Sequence, residues 1–267
     1  MLAKRLASAI IAMPILGVAV WFGHPWFTIV VAVAAAGAAR EFFNLSEATR
    51  GKPLAFVGIA GVVYLVVESQ GRSPFGTTSL VAAAIIAFLV AIMFSRIEHA
   101  AAGWAWTVAG FLYLGWLLRY PLFLRDLDHG RYWVFLALLA TFATDSAAYM
   151  VGSKWGRHRM APQISPQKTW EGAIGGFAGG LAATFVLSPL FDLPLSWPHT
   201  ALLGALIPIF AEMGDLAESA LKRGAGVKEA GVFLPGHGGF LDRMDSLLLV
   251  VVMVYYYAMY ILTGTAL

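Results

Sequence analysis

Apolar residues run through this chain in long blocks, and polar residues gather in the gaps between them. Nine apolar segments stand out, at roughly 6–22, 25–42, 54–68, 75–94, 101–118, 132–152, 172–191, 199–221 and 245–263. An α-helix needs about 20 such residues to cross about 30 Å of hydrocarbon. The second, third and sixth segments are short or interrupted by a charge. The pattern predicts an all-α fold: a polytopic integral membrane protein with about nine transmembrane helices. There is no internal repeat and no low-complexity region. The glycine-rich run Gly172-Ala-Ile-Gly-Gly-Phe-Ala-Gly-Gly180 reads as close helix packing, because small residues let backbones approach in lipid.

Composition agrees with the pattern. The 267 residues are 60% hydrophobic and 12% charged, with a mean hydropathy of +0.75, whereas a soluble domain carries about 25% charged residues. With no cysteine, disulfides, thiolate nucleophiles and thiolate metal ligands are excluded. Lys4-Arg5 followed by an uncharged run to Phe22 has the flavour of a signal peptide, but a retained first helix is the better reading because more spans follow. Most of the 18 Lys and Arg fall in the segments that share a side with the N-terminus, which the positive-inside rule places in the cytoplasm. Two basic loops contribute much of that bias, so their charge could serve chemistry as well as topology.

Chemistry-bearing residues concentrate in the C-terminal half. On the eighth segment, Glu212, Asp215, Glu218, Ser219 and Lys222 fall on one helical face, opposite Met213, Leu216, Ala217 and Leu221. An ionised group at membrane depth costs about 2.5–3.5 kcal/mol on insertion scales, so such a face must meet water, metal or other charges. Further on come Lys222-Arg223, Lys228, then His237-Gly238-Gly239 and Asp242-Arg243-Met244-Asp245. Asp242 and Asp245 lie three apart at a helix start, where they could hold Mg²⁺ or merely favour the helix N-terminus. His237 sits among glycines that permit close backbone approach, which suits phosphate contact better than metal ligation beside hard oxygens. The loop between the sixth and seventh segments carries Asp145 with Tyr149, then Ser165-Pro166-Gln-Lys168-Thr169-Trp-Glu-Gly172. Pro166 suits the first turn of a helix capped by Ser165, whose free N–H groups would bind an anion beside Lys168 and Thr169. Elsewhere, Glu68, Asp126 and Asp128 read as solvated span ends, and Arg40-Glu41-Phe42-Phe43 as an interfacial anchor.

The run Ser219-x-x-Lys222-Arg223, four residues, Lys228, then His237-Gly238-Gly239 and Asp242-Arg243-x-Asp245 closely resembles the signature of the phosphatidate cytidylyltransferases. It departs at Glu229, where the family usually has Asp. The Ser-Pro-x-Lys-Thr-x-Glu-Gly run and Asp145 with its aromatic neighbour are similar to the family as well, so the resemblance covers about residues 140–250. It implies condensation of CTP with phosphatidate to CDP-diacylglycerol and pyrophosphate, with one or two Mg²⁺ ions. Asp215, Asp242 and Asp245 would hold metal, and Lys222 and Arg223 would join them in catalysis. Asp145, Ser165, Lys168, Thr169, Ser219, Lys228, His237, Gly238, Gly239 and Arg243 would bind substrate.

The organisation expected is an anchoring region, 1–130, and a catalytic region, 131–267, with cytoplasmic loops 153–171 and 222–243. The expected location is a bacterial inner membrane, with the site facing the cytoplasm. Expected partners are CTP, phosphatidate and bilayer lipid, with no nucleic acid; a homodimer is left open. Two other readings are a CTP-dependent lipid kinase of the polyprenol type, which would release CDP, and an ion-coupled transporter using the acids of the eighth segment. The absence of repeats disfavours the transporter.

Overall fold

The computed structural model describes residues 2–46, 53–70, 76–93, 97–231 and 238–264. The chain is mostly helical. In order come α1 (Leu2–Phe22), α2 (Trp26–Leu45), α3 (Ala55–Glu68), α4 (Gly76–Ile92), α5 (Ile97–Gly110) with a π-helical continuation (Phe111–Trp116), and α6 (Tyr120–Asp126). Then follow α7 (Gly130–Trp155), β1 (Arg159–Ala161), β2 (Ser165–Thr169), α8 (Trp170–Leu190), α9 (Trp197–Gly224) and α10 (Leu241–Thr263). The described residues of the expected apolar segments are mainly helical, but the count of about nine spans is not confirmed. Six helical stretches among the described residues are long and apolar enough to cross a membrane, rather than about nine: Trp26–Leu45, Ala100–Asp126, Gly130–Trp155, Trp170–Leu190, Trp197–Gly224 and Leu241–Thr263. Ala12–Phe22 and Ala55–Glu68 are shorter apolar helices, and α4 has 17 residues.

Packing divides the chain into two compact units. The first comprises residues 1–122 and 222–243; the second comprises 123–221 and 244–267. The segment that carries Lys222, Lys228 and Asp242 therefore packs with the N-terminal helices. In the first unit, Leu65, Phe88 and Phe111 form a core, with the Phe88 and Phe111 rings edge to face at 5.5 Å. Gly58 and Gly110 make room for the Phe43 ring, where a Cβ at either position would stand about 2.5 Å away. Two sequence expectations fail here. Phe42 and Phe43 are 2% exposed and Glu41 only 7%, so this stretch is core rather than interfacial anchor. Glu68 is not solvated but pairs with Arg119 at 3.4 Å, both side chains under a tenth exposed. Asp126 and Asp128 are exposed as expected.

In the second unit, α8 lies against α7 along its glycine face, as the small-residue run predicted. A Cβ at Gly175 would stand 2.5 Å from Val151, and one at Gly176 3.0 Å from Ala148. The His199 ring on α9 meets the Tyr257 hydroxyl of α10 at 2.8 Å. The loop between α7 and α8 departs from expectation. Ser165 and Pro166 do not start a helix but belong to β2, which pairs antiparallel with β1 through Arg159↔Thr169 and Ala161↔Ser165. The helix begins at Trp170, where the extended Thr169 is the cap and accepts the Gly172 N–H at 3.1 Å. The hairpin wins because Glu171 reaches back to accept the Arg157 and His158 N–H groups at 3.0 and 3.2 Å, closing the base of the loop. That places Lys168 on an extended segment, so its side chain leaves the helix axis.

Candidate active site

The second unit gathers five of its ionisable groups. The Lys168 ammonium lies 2.7 Å from Glu212 Oε1 and 2.9 Å from Asp215 Oδ2. Glu212 and Asp215 are three apart on α9 and so share a face. Asp215 also accepts a hydrogen bond from Ser219 Oγ at 3.2 Å. Asp145 on α7 and Asp245 on α10 complete the group: Asp145 stands within electrostatic range of Asp245, Asp215, Lys168 and Glu212. Gly214 makes the approach possible, because a Cβ there would collide with the Asp245 carbonyl oxygen. Burial alone would lower the Lys168 pKa, but Asp215 and Glu212 outweigh it and hold the ammonium above its ordinary value. Two carboxylates thus pair with the ammonium, and Asp145 stands beside them. The expected polar face of α9 is also real: Glu218 is fully buried, while Met213 and Leu221 point outward at 52% and 37% exposure. That is the arrangement lipid demands, with ionisable groups turned to protein.

The first unit holds a different arrangement. Lys222 Nζ lies 2.7 Å from Asp242 Oδ1, with side chains 10% and 9% exposed. Asp242 Oδ2 accepts the Gly239 N–H at 2.8 Å and the Ala230 N–H at 3.1 Å. Gly238 has φ +75°, a conformation that favours glycine. The end of α9 is closed by two bonds, from Val227 N to Lys222 O and from Gly226 N to Arg223 O, with Gly226 left-handed. Arg223, Lys228, Glu229 and Arg243 are exposed. His237 lies outside the described residues.

Of the expected site residues, Asp145, Lys168, Asp215, Ser219 and Asp245 come together in the second unit. Lys222, Gly239 and Asp242 come together in the first. Ser165 and Thr169 serve the hairpin and the α8 cap. Sequence reasoning missed Glu41, whose Oε2 accepts the Leu241 N–H at 2.9 Å from 200 residues away, and the Glu171 contacts with the loop. No local pattern marks the first. The second had a signal in the Glu that opens α8.

The carboxylate oxygens of the second unit are of the hard type that Mg²⁺ takes, and Mg²⁺ commonly needs only one or two from protein beside water and substrate phosphate. The residues therefore fit the ion in kind. No group of three acidic or imidazole side chains stands ready-made to hold a metal among the described residues.

A mostly helical chain with six membrane-spanning lengths among the described residues, and a partly exposed group of acids around an ammonium, is an integral membrane protein. Residues 3–261 match the model of the Cytidylyltransferase family, and the chain belongs to that family. It is 32% identical over 260 residues to the phosphatidate cytidylyltransferase of Brucella suis, covering 95% of this chain and 92% of the relative. It is 41% identical over 150 residues to that of Bacillus subtilis, an alignment spanning 54% of each chain. It is 41% identical over 138 residues to that of Mycobacterium bovis, spanning 52% of this chain and 43% of the relative. The last two alignments thus span about half the length of those relatives.

Proposed function

We propose that this chain joins CTP to phosphatidate, leaving CDP-diacylglycerol in the bilayer and releasing pyrophosphate. The observation that carries the reading is the family match across nearly the whole chain, together with a relative of that name aligned end to end. The site is compatible on physical grounds. Phosphatidate cannot leave the membrane and CTP cannot enter it, so the reaction belongs at the membrane face. An oxygen of the lipid phosphate attacks the α-phosphorus of CTP; the bond from that phosphorus to the bridging oxygen breaks, and pyrophosphate leaves with the electron pair. The nucleophile is already an anion near neutral pH, so no base has to remove a proton.

Lys222, Arg223, Lys228 and Arg243 are the cations of the signature, and such groups stabilise phosphate charge as it develops. Lys168 orients Glu212 and Asp215. Mg²⁺ held by carboxylates such as Asp215 and Asp245 would neutralise crowded phosphates and ease departure of pyrophosphate. The bacterial relatives and the cation-rich loops favour a bacterial inner membrane with the reaction on its cytoplasmic side.

The test is purified protein in detergent with mixed phosphatidate micelles, Mg²⁺ and CTP labelled in the cytosine and, separately, in the γ-phosphate. A labelled liponucleotide and an equal amount of pyrophosphate are expected, with all activity lost in EDTA and restored by Mg²⁺. Appearance of CDP with label transferred to a lipid alcohol would replace this reading with a lipid kinase.

A further inference from the structure

Glu41 lies on α2 in the first unit, 7% exposed. Its Oε2 accepts the Leu241 N–H at 2.9 Å, and the Phe240 N–H is a second backbone donor to the same carboxylate. Leu241 opens α10, whose first N–H groups have no partner within the helix. The carboxylate also fills the space that two glycines leave. A Cβ at Gly231 would stand 2.6 Å from Glu41 Cδ, and one at Gly239 would overlap the carboxylate oxygens. One turn earlier on the same face, Gly37 admits the Phe240 ring, which any side chain there would displace. Asp242, next after Leu241, is the residue that holds Lys222 and the Gly239 and Ala230 N–H groups. A buried carboxylate is costly unless its lone pairs are used; this one is used to fix a helix start and both flanks of the segment 232–238.

We propose that Glu41 is a positioning residue for nucleotidyl transfer. Wedged between Gly231 and Gly239, it sets the start of α10 that aims Asp242 at Lys222. This rests on the cytidylyltransferase reading. Misplacement of reacting groups by 1 Å can cost about 10²-fold in rate, so a brace at this point has kinetic consequences beyond stability.

The experiment compares wild type, Glu41→Ala, Glu41→Gln, Gly239→Ala and the Glu41→Ala/Gly239→Ala double variant, all as full chains in detergent. Glu41→Ala should lower kcat by about 10²-fold, leave the CTP KM almost unchanged, and speed amide exchange in peptides spanning Leu241. Glu41→Gln should recover most of the rate, because its amide oxygen still accepts the Leu241 N–H. Gly239→Ala should lower kcat by pushing the carboxylate aside, and adding it to Glu41→Ala should cost little more, since the space is already vacant. Wild-type kcat in Glu41→Ala, losses that multiply in the double variant, a Gln variant as impaired as Ala, or a rate loss that only follows the folded fraction would each overturn the proposal. If the wild type forms no liponucleotide, the functional reading fails instead, and exchange at Leu241 in Glu41→Ala still decides whether the wedge exists.

Discussion

Each unit contains a lysine 2.7 Å from a carboxylate, yet the two lysines sit in opposite circumstances. Lys222 faces Asp242; the pair is about a tenth exposed, and Asp242 has two backbone donors besides. Its charge is balanced and its lone pairs are used. Lys168 faces Glu212 and Asp215, which are 26% and 32% exposed, with Asp145 in electrostatic range of all three and of Asp245. The difference is one of setting: the Lys222–Asp242 pair is tied to the start of α10, while Lys168 lies among partly accessible acids of the kind we propose to hold Mg²⁺.

The sharpest way to break this comparison is Asp215→Asn. The amide keeps a partner for Ser219 but gives up the charge. Turnover should fall about 10³-fold, equivalent to about 4 kcal/mol of transition-state stabilisation, while the melting temperature in detergent hardly moves. Turnover within tenfold of wild type would mean that the cluster is not the reactive centre. Asp242→Asn should differ from it by losing stability as well as rate. Removing one partner of a buried pair costs about 3 kcal/mol or more, so unfolding should shift to clearly lower denaturant, with Lys222 left buried and uncompensated. Unchanged stability would show that Asp242 is no scaffold.

A smaller effect is expected at Gly214. Alanine there would collide with the Asp245 carbonyl, and overpacking of this kind costs about 1–3 kcal/mol. Steady-state rates should fall about tenfold as Asp245 is displaced from its neighbours, and a wild-type rate would mean that the approach of α9 and α10 at this point is not required. The least effect belongs to Glu229. It is exposed, and surface changes are usually within about 0.5 kcal/mol, so Glu229→Asp should leave kcat/KM within about twofold. A large change would move this residue from the loop surface into the chemistry.

Much of the candidate site was legible in the sequence, because it is written in local terms. Glu212, Asp215 and Ser219 share a face through helical periodicity alone, and small residues at Gly172–Gly180 foretold the packing of α8 on α7. The hairpin was not legible. Pro166 after Ser165 is a fair helix start in isolation, and only Glu171 bonding to Arg157 and His158, with Thr169 capping α8, selects the extended alternative. The count of about nine spans is not confirmed among the described residues for a related reason: apolar composition marks helices, but length sufficient to cross a bilayer depends on where each helix ends.

What the sequence determined by itself is therefore the class of protein, the helical segments and the residue types of the chemistry, since hydrophobic runs, periodicity and charge are properties of neighbours along the chain. Tertiary structure alone decided which carboxylates meet backbone donors and which gather around Lys168. Glu41 and Leu241 are 200 residues apart, and nothing near either one names the other. The role of a carboxylate is fixed by how many donors reach it in space, and that number exists only once the helices have packed.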